Sequence, residues 1–538
     1  VHFSREIYVD NFAGGGGASN GIELATGRSV DIAINHDPAA IAMHTANHPE
    51  TEHYQESVWN VDPRKATRGR PVALCWQSPD CTHHSKASGG KPKDKNIRGL
   101  AWNLVRWGGT VRPRVQIMEN VEEFRGWGPL IAKRDKKTGR VIKLDGTVAE
   151  PGEVVKLKDQ WLVADPKRKG KTFRAFVRSL REQGYQVEWR EIRACDYGAP
   201  TIRKRFFLIA RCDGKPIVWP KPSHGDPKSL EVQAGRLKPW RTAAEIIDWS
   251  IPCPSIFDSA EQIKKKYGIR VKRPLAEKTL RRIAKGVQRY VIESNDPFVI
   301  SDKAAFITEH ANGSSQRNMS VGDPLRTICA EVKGGHFALV TAFLAQYHSE
   351  TANHEVRGQT IDKPIMTLDT SNRYALVTSN LLILRNNMFG QEVTEPIPTL
   401  TAGGGHVGEV RAFLMKYYGS DVGQSCTDPL HTVTTKDRFG LVTIHGEDYQ
   451  IVDIGMRMLE PHELFAAQGF PPEYIIDKDA MGNKQNKKEQ VARCGNAVPP
   501  PFAEALVRAN LPEHCTGAGN VAAFERYKQP VGQMALSI

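Results

Sequence analysis

The sequence predicts an α/β protein: a mostly parallel sheet covered by helices on both faces, interrupted by a β-rich module and then completed. Three observations predict it. Short apolar runs alternate with helix-like stretches over the first ~210 residues, as strands and crossover helices of a parallel sheet do. Between about 310 and 445 one element recurs four times, each copy offering a proline, an aliphatic residue, a threonine and a run of β-formers. Beyond the repeats the pattern turns helical again.

Ile7-Tyr8-Val9 reads as a strand entering a glycine turn, Val30 to Ile34 as a second strand, and Asp37 to Asn47 as a helix behind it. Val72 to Trp76 and Val115 to Met118 are further apolar strands. Gly126 to Lys171 is rich in Gly, Lys and Arg, with extended pieces at Val141-Ile142-Lys143 and Val154-Val155-Lys156, and reads as an inserted hairpin region. Phe173 to Gln183 is helical, while Val187 to Ile192 and Phe206 to Ala210 are extended. A second basic stretch, Lys264 to Arg289, places Leu275, Leu280, Ile283 and Val287 on one helix face. Both basic stretches fit either a solvated surface or a nucleic-acid contact. The repeats are Asp323 to Ile328 leading to Leu339-Val340-Thr341, Lys363 to Leu368 leading to Leu376-Val377-Thr378, Glu395 to Leu400 leading to Gly404-Gly405-His406, and Asp428 to Val433 leading to Leu441-Val442-Thr443. Pro461 to Gln468 is helical, and Pro499 to Asn510 is a helix whose prolines suit a first turn.

At 538 residues the chain is too long for one ordinary domain. Apolar residues are 40% and charged residues 25%, enough for a core and against global disorder. No apolar run reaches the ~20 residues that span a bilayer, and the first residues lack the apolar stretch of a signal peptide. The nine cysteines form no CxxC pair, which argues against a disulfide scaffold or zinc site and fits a reducing cytosol. A formal charge of +14 favours a polyanionic partner.

Five places carry candidate chemistry. Asp10 to Gly17 follows the first strand, and its glycines permit a sharp turn and close approach to a ligand. Cys81 lies just past the third strand, where ligands of open α/β sheets bind; alone it reads as a nucleophile or as a small buried residue. Glu119-Asn120-Val121 ends the fourth strand, an acid or a cap. Arg203-Lys204-Arg205 precedes another strand, an anion site or a charged turn. Asn496 sits in a tight turn leading into the last helix.

In this order the pieces resemble the DNA cytosine-5 methyltransferase family. Phe12 to Gly17 is similar to its cofactor loop, Pro79 to Ser85 to its nucleophile loop, and Glu119-Asn120-Val121 to its acidic triplet. Tyr197-Gly198-Ala199-Pro200 with Arg203 and Arg205 resembles its arginine motif. Arg457 to Phe470, running into Pro471, and Gly495 to Pro500 resemble its last two motifs. The resemblance covers about 1–215 and 450–510. It implies a Rossmann-like S-adenosylmethionine-dependent methyltransferase domain at 1–215, with a basic insertion at about 126–171. A β-rich target-recognition domain would span 216–450, the catalytic domain would resume over 451–515, and 516–538 would be a tail. Cys81 would add to cytosine C6, Glu119 would contact N3 and the amine, and Arg205, helped by Arg203, would hold O2. The base would be flipped out of double-stranded DNA. Phe12, Ala13, Gly14, Gly15, Gly17, Asn35, His36, Ser57, Val58, Pro79, Asn496, Ala497 and Val498 would line the cofactor, released as S-adenosylhomocysteine. The resemblance has a phage or prophage flavour and implies a restriction-modification or phage setting, in the cytoplasm of a bacterial or phage-infected cell. A monomer without metal or membrane attachment is expected.

Three positions depart from the family pattern. Asp80 precedes the nucleophile in place of a proline, and a carboxylate there tends to raise the thiol pKa; His83 and His84 would offset it. Asn35, followed by His36 and Asp37, stands where an acidic residue usually meets the cofactor ribose. Ser57 stands where one usually meets the adenine, with Glu56 beside it. These departures motivate one alternative, a modified cofactor giving a larger C5 substituent; an RNA cytosine-5 methyltransferase built on the same motifs and a silent DNA-binding protein are the others. The family's recognition region brings a Thr-Leu pair near the flipped base; Thr399 to Gly404 is the repeat segment most like it, and which copy serves stays open.

Overall fold

A computed structural model describes residues 5–81, 83–84, 92–294, 298–300, 303–309, 317–328, 337–346, 380–384, 391–392, 406–410, 441–444 and 447–517. The chain divides into two compact units. The first comprises Val1–Asp248, Gly322–Gly334 and Leu459–Ile538; the second comprises Trp249–Val321 and Gly335–Met458. The first unit thus runs past residue 215, the boundary expected from sequence, and takes in a short piece of the repeat region.

The first unit opens with β1 (Ile7–Asn11), α1 (Gly17–Thr26), β2 (Ile32–Ile34), α2 (Pro38–Asn47), β3 (Glu52–Tyr54), α3 (Pro63–Thr67) and β4 (Val72–Gln77). Next come α4 (Lys95–Gly99), α5 (Trp102–Thr110), β5 (Val115–Asn120), β6 (Leu130–Ala132), β7 (Leu162–Ala164), α6 (Lys171–Glu182), β8 (Gln186–Arg193) and β9 (Lys204–Arg211). The main sheet has the order β3-β2-β1-β4-β5-β9-β8. It is parallel from β3 to β5, but β9 runs antiparallel to both β5 and β8. The link from β8 to β9, residues 194–203, returns on itself, with the Ala194 amide donating to the Arg203 carbonyl at 2.9 Å, whereas a parallel pair would need a crossover of roughly a dozen residues or more. β3 was not foreseen: Glu-His-Tyr has no apolar run, and the strand sits at the sheet edge.

Alternation along the strands divides the core. Tyr8, Trp76, Phe207 and Ile209 face one side with Phe502 and Leu506. Phe206 and Leu208 face the other, with Phe124, Phe173, Phe176 and Leu180. Helix Pro500–Asn510, which starts from Pro499, packs against α1 so closely that a Cβ on Gly21 would lie 2.3 Å from the Pro500 carbonyl oxygen. In the insertion β6 and β7 pair antiparallel, and Val141 and Ile142 bridge to Arg134 and Val148. Val154-Val155-Lys156, expected to be extended and paired, forms no strand; Val154 is exposed, with nothing apolar to pack on.

In the second unit helices Ala260–Tyr267 and Glu277–Val287 accompany an antiparallel sheet. Its strands, in spatial order, are Val299–Ile300, Lys303–Glu309, Phe337–Gln346, Glu447–Met458 and Leu441–Ile444. Ile283 and Val287 are buried with Phe306, Val340 and Met456. Leu275 precedes its helix and Leu280 is exposed, so only part of the expected helix face reaches the core. Leu339 to Thr341 and Leu441 to Thr443 are strand residues as expected. Lys363 to Thr378, Glu395 to Gly405 and Asp428 to Val433 lie outside the described residues. Among the described residues no helix is long and apolar enough to cross a membrane, and no group of three or more His, Cys, Asp or Glu could hold a metal ion.

Gly21→Ala tests the close helix contact. Helix propensity alone favours alanine by about 1 kcal/mol. Here the added methyl meets backbone at 2.3 Å and the Ala503 Cβ at 2.6 Å, so the sign reverses. A loss of about 1–3 kcal/mol is expected in urea unfolding. Gly99→Ala, at the end of α4 where nothing lies within 4 Å, should be neutral or stabilise by up to about 1 kcal/mol.

Candidate active site

The glycine loop leaves β1 in a conformation few sequences adopt. Phe12, Gly14 and Gly16 all have positive φ, at 66°, 45° and 80°. Its floor comes from the far end of the chain. The Tyr474 hydroxyl donates to the Gly15 carbonyl at 2.9 Å. A Cβ on Gly16 would collide with that hydroxyl, and one on Gly17 would lie 2.0 Å from the Val498 carbonyl oxygen. Ala13, Ala497 and Val498 are buried, whereas Asn496, closing helix Lys487–Asn496, is exposed. Arg493 of that helix pairs with Asp37 at 2.5 Å.

Asn35 and His36 follow β2 directly. The Asn35 side-chain oxygen accepts the Asp37 amide at 2.9 Å, so its carbonyl is committed to the turn that starts α2. His36 is exposed. Ser57 is half-buried after β3, and the Val58 carbonyl accepts from Arg106 at 2.8 Å. Beneath the loop a buried polar chain links β1, α1, α2 and β3. Ser19 donates to Asp10 at 2.7 Å, and His44 bridges Ser19 at 2.9 Å and His53 at 2.8 Å. Burial raises the Asp10 carboxyl to about 7 against the lowering effect of Ser19. Burial, then the neighbouring His48 and His53, holds His44 far below the usual imidazole range.

Cys81 is half-buried beyond β4, and its carbonyl accepts the His84 amide at 2.9 Å. The Asn120 amide donates to the Pro79 carbonyl at 3.0 Å and so ties the loop to β5. Glu119 and Arg205, expected at strand ends, lie within β5 and β9 and form an ion pair at 2.9 Å. Burial pushes the Cys81 thiol above its ordinary value; Arg205 opposes this, Glu119 and Asp80 add to it, and Arg203 opposes it. All four expected catalytic side chains thus share one electrostatic neighbourhood. Arg203 is buried and donates to the Ile328 carbonyl at 2.9 Å.

The histidines do not play the part expected of them. His84 is buried against Phe124 and Trp127, at ring separations of 5.0 and 5.8 Å. Burial, then the Arg98 charge, lowers its pKa to about 3, so it is neutral and does not offset Asp80. The His83 ring accepts the Asp94 amide at 2.8 Å. The cations acting on the thiol are the two arginines. Sequence reading also missed Tyr474, Arg493 and Arg98. Arg98 donates to the carbonyls of His83 and Gly128, at 3.1 and 3.3 Å. Tyr474 follows the Gln468 to Pro471 motif closely, which is the one signal that pointed to it.

A model of the C-5 cytosine-specific DNA methylase family matches residues 8–131, 164–286 and 298–511, leaving out most of the basic insertion. Type II methyltransferase M.AquIA of Picosynechococcus sp. is 22% identical over 247 residues, covering 44% of this chain and 86% of that protein. Type II methyltransferase M.AgeI of Thalassovita gelatinovora is 27% identical over 229 residues, 42% of this chain and 44% of that protein. DNA (cytosine-5)-methyltransferase 1B of Oryza sativa subsp. japonica is 26% identical over 230 residues, 41% of this chain and 14% of that protein. The chain therefore spans less than half the length of the last two relatives.

The charge balance at Cys81 is measurable. Arg205→Ala removes the largest cationic influence and should raise the midpoint of Cys81 alkylation by iodoacetamide, followed against pH by peptide mass mapping. Asp80→Asn removes an anion and should lower it. Equal midpoints in both variants would refute this balance.

Proposed function

The chain belongs to the C-5 cytosine-specific DNA methylase family, and on that premise we propose that it methylates C5 of cytosine in double-stranded DNA through a covalent bond between Cys81 and C6. The observation that carries this reading is the Cys81 thiol beside the Glu119–Arg205 ion pair and Arg203, past the carboxyl end of β4. Cytosine C5 is a poor nucleophile. The Cys81 thiolate adds to C6 and makes C5 enamine-like; Glu119 holds N3 and the exocyclic amine, and Arg205 holds O2. After C5 has accepted the methyl group, loss of the C5 proton and expulsion of the Cys81 thiolate restore the ring. The target atom is hidden in a duplex, so the base must leave the stack.

S-adenosylmethionine, which the family implies, would supply the electrophilic methyl group. The residues present fit it. The glycine loop is packed from below by Tyr474 and Val498, while a Cβ on Gly14 would meet only the Phe12 carbonyl oxygen, at 3.6 Å. Phe12, Ala13, Gly14, Gly15, Gly17 and Pro79, with Asn496, Ala497 and Val498, would line the cofactor. Asn35, His36, Ser57 and Val58 would meet its nucleoside. Asn35 would act there through its amide N–H groups, since its oxygen already serves the Asp37 amide. That substitution also favours a second reading, in which a modified cofactor leaves a larger group on C5.

The insertion supplies DNA contacts in this reading, through Lys133, Arg134, Lys136, Lys137, Lys167, Arg168 and Lys169. Arg168 is already paired with Asp165 at 2.6 Å and Lys133 lies over Trp161, so Lys136, Lys137, Lys167 and Lys169 are the more available cations. We propose that the protein works as a monomer, with one such site and its own recognition module.

Two experiments test this. Nucleosides from DNA of cells expressing the protein should contain 5-methyldeoxycytidine, read by mass spectrometry, and Cys81→Ser should abolish it. A heavier deoxycytidine adduct would select the modified-cofactor reading, and unmodified DNA would count against both. Charge reversal at Lys167 and Lys169 should weaken duplex binding equally across sequences and flatten its salt dependence. An unchanged salt slope would remove the insertion from the DNA contact.

A further inference from the structure

The first of the four repeats is built onto the arginine motif. Leu325 bridges Thr201 in parallel; its amide donates to the Pro200 carbonyl at 2.8 Å, and its carbonyl accepts the Ile202 amide at 2.8 Å. The Thr201 hydroxyl donates to the Arg326 carbonyl at 3.3 Å, and Arg203 donates to that of Ile328 at 2.9 Å. At the near end the Ala243 amide donates to the Asp323 carbonyl at 2.8 Å. All of these residues belong to the first unit. The segment is thus held by its backbone on both sides of Arg326 and Thr327.

Burial separates the repeat into two kinds of position. Pro324, Leu325 and Ile328 are buried, whereas Arg326 and Thr327 are half-exposed. In the other copies the buried positions remain proline and aliphatic, and the threonine remains too. The position of Arg326 is taken instead by Met366, Pro398 and His431. In this copy docking buries the proline and aliphatic positions that all four share, and of the two half-exposed side chains Arg326 is the one that differs between copies. Arg203 is the tether. Its guanidinium touches the Ile328 carbonyl and its charge acts on Cys81, so the segment is anchored one guanidinium away from the nucleophile's surroundings.

Resting on the function proposed above, we propose that Arg326 is a specificity-determining residue that reads a guanine beside the target cytosine. A guanidinium fork matches guanine O6 and N7, the commonest specific arginine contact in the major groove. The Asp323 carboxyl lies within electrostatic reach of Arg326. Arg203 is a positioning residue that fixes the segment's register through its bond to the Ile328 carbonyl.

The test maps methylated cytosines by bisulfite sequencing on duplex DNA containing all neighbouring contexts, with the full chain, Arg326→Met and Arg326→Lys. The wild type should require guanine at one fixed neighbouring position. Arg326→Met, which takes the residue of the second copy, should lose that preference roughly tenfold or more while still methylating other contexts. Arg326→Lys keeps the charge without the fork and should relax the same position. An unchanged context in both variants overturns the inference, as does a uniform loss across contexts, which marks a phosphate or structural contact. Wild-type protein that methylates DNA without a guanine requirement overturns it while leaving the proposed function standing. Wild-type protein that methylates no DNA brings down both.

Discussion

The closure of the chain's two ends on each other is the contact from which the rest of the first unit follows. Gly15 and Tyr474 are 459 residues apart and share a hydrogen bond, and Gly17 and Gly21 have no room for a side chain because Val498 and Pro500 lie against them. The loop's strained start at Phe12 is held by its amide on the Ile34 carbonyl, and the glycines that follow are packed from below by residues from late in the sequence. Loop-closure entropy grows only with the logarithm of length. A long segment between β9 and helix Pro461–Gln468 can therefore be accommodated, provided both ends are fixed. They are fixed here by α1 packing on Pro500–Asn510 and by the shared core of Tyr8, Trp76, Phe207 and Phe502.

Against that scaffold the chemistry at Cys81 is a balance of opposed influences. Burial and two carboxylates favour the thiol, and two arginines favour the thiolate. Glu119 and Arg205 are paired, so each limits the other's effect on the sulfur. The strands set this pairing: β5 and β9 are antiparallel neighbours, and side chains near their ends meet across the ladder. A parallel β9 would carry Arg205 to the opposite end of the sheet. The break in parallel order is thus part of the site.

Much of this was legible in residue order alone. The strands at Ile7, Val72, Val115 and Phe206 are apolar runs, and Asp37 before Pro38 is a helix start whose carboxylate accepts the Ala39 amide. The glycine loop, Cys81, Glu119 and the arginines stand out because each motif is local. What escaped had little or no local mark. β3 is polar and lies at an edge. Tyr474 and Arg493 matter through groups far away in sequence. His84 reads as a possible cation beside Asp80, yet the ring is enclosed by Phe124 and Trp127 and stays neutral. The reach of the first unit to Asp248, and its recapture of Gly322–Gly334, follow from backbone hydrogen bonds to Pro200 and Ala243 that no composition change announces.

The sequence by itself determined what short-range physics controls: which stretches extend, where glycine permits a turn, where helices start, and which residue types can attack, donate or carry charge. It also determined that one element occurs four times. Only the tertiary structure decided that β9 runs antiparallel, that Arg205 pairs with Glu119 while Arg203 turns to Ile328, and that the first repeat lies on the arginine motif. The reason is physical. Alternation and capping depend on neighbours within a few residues, whereas charge balance and docking depend on which distant backbone groups arrive at the same place.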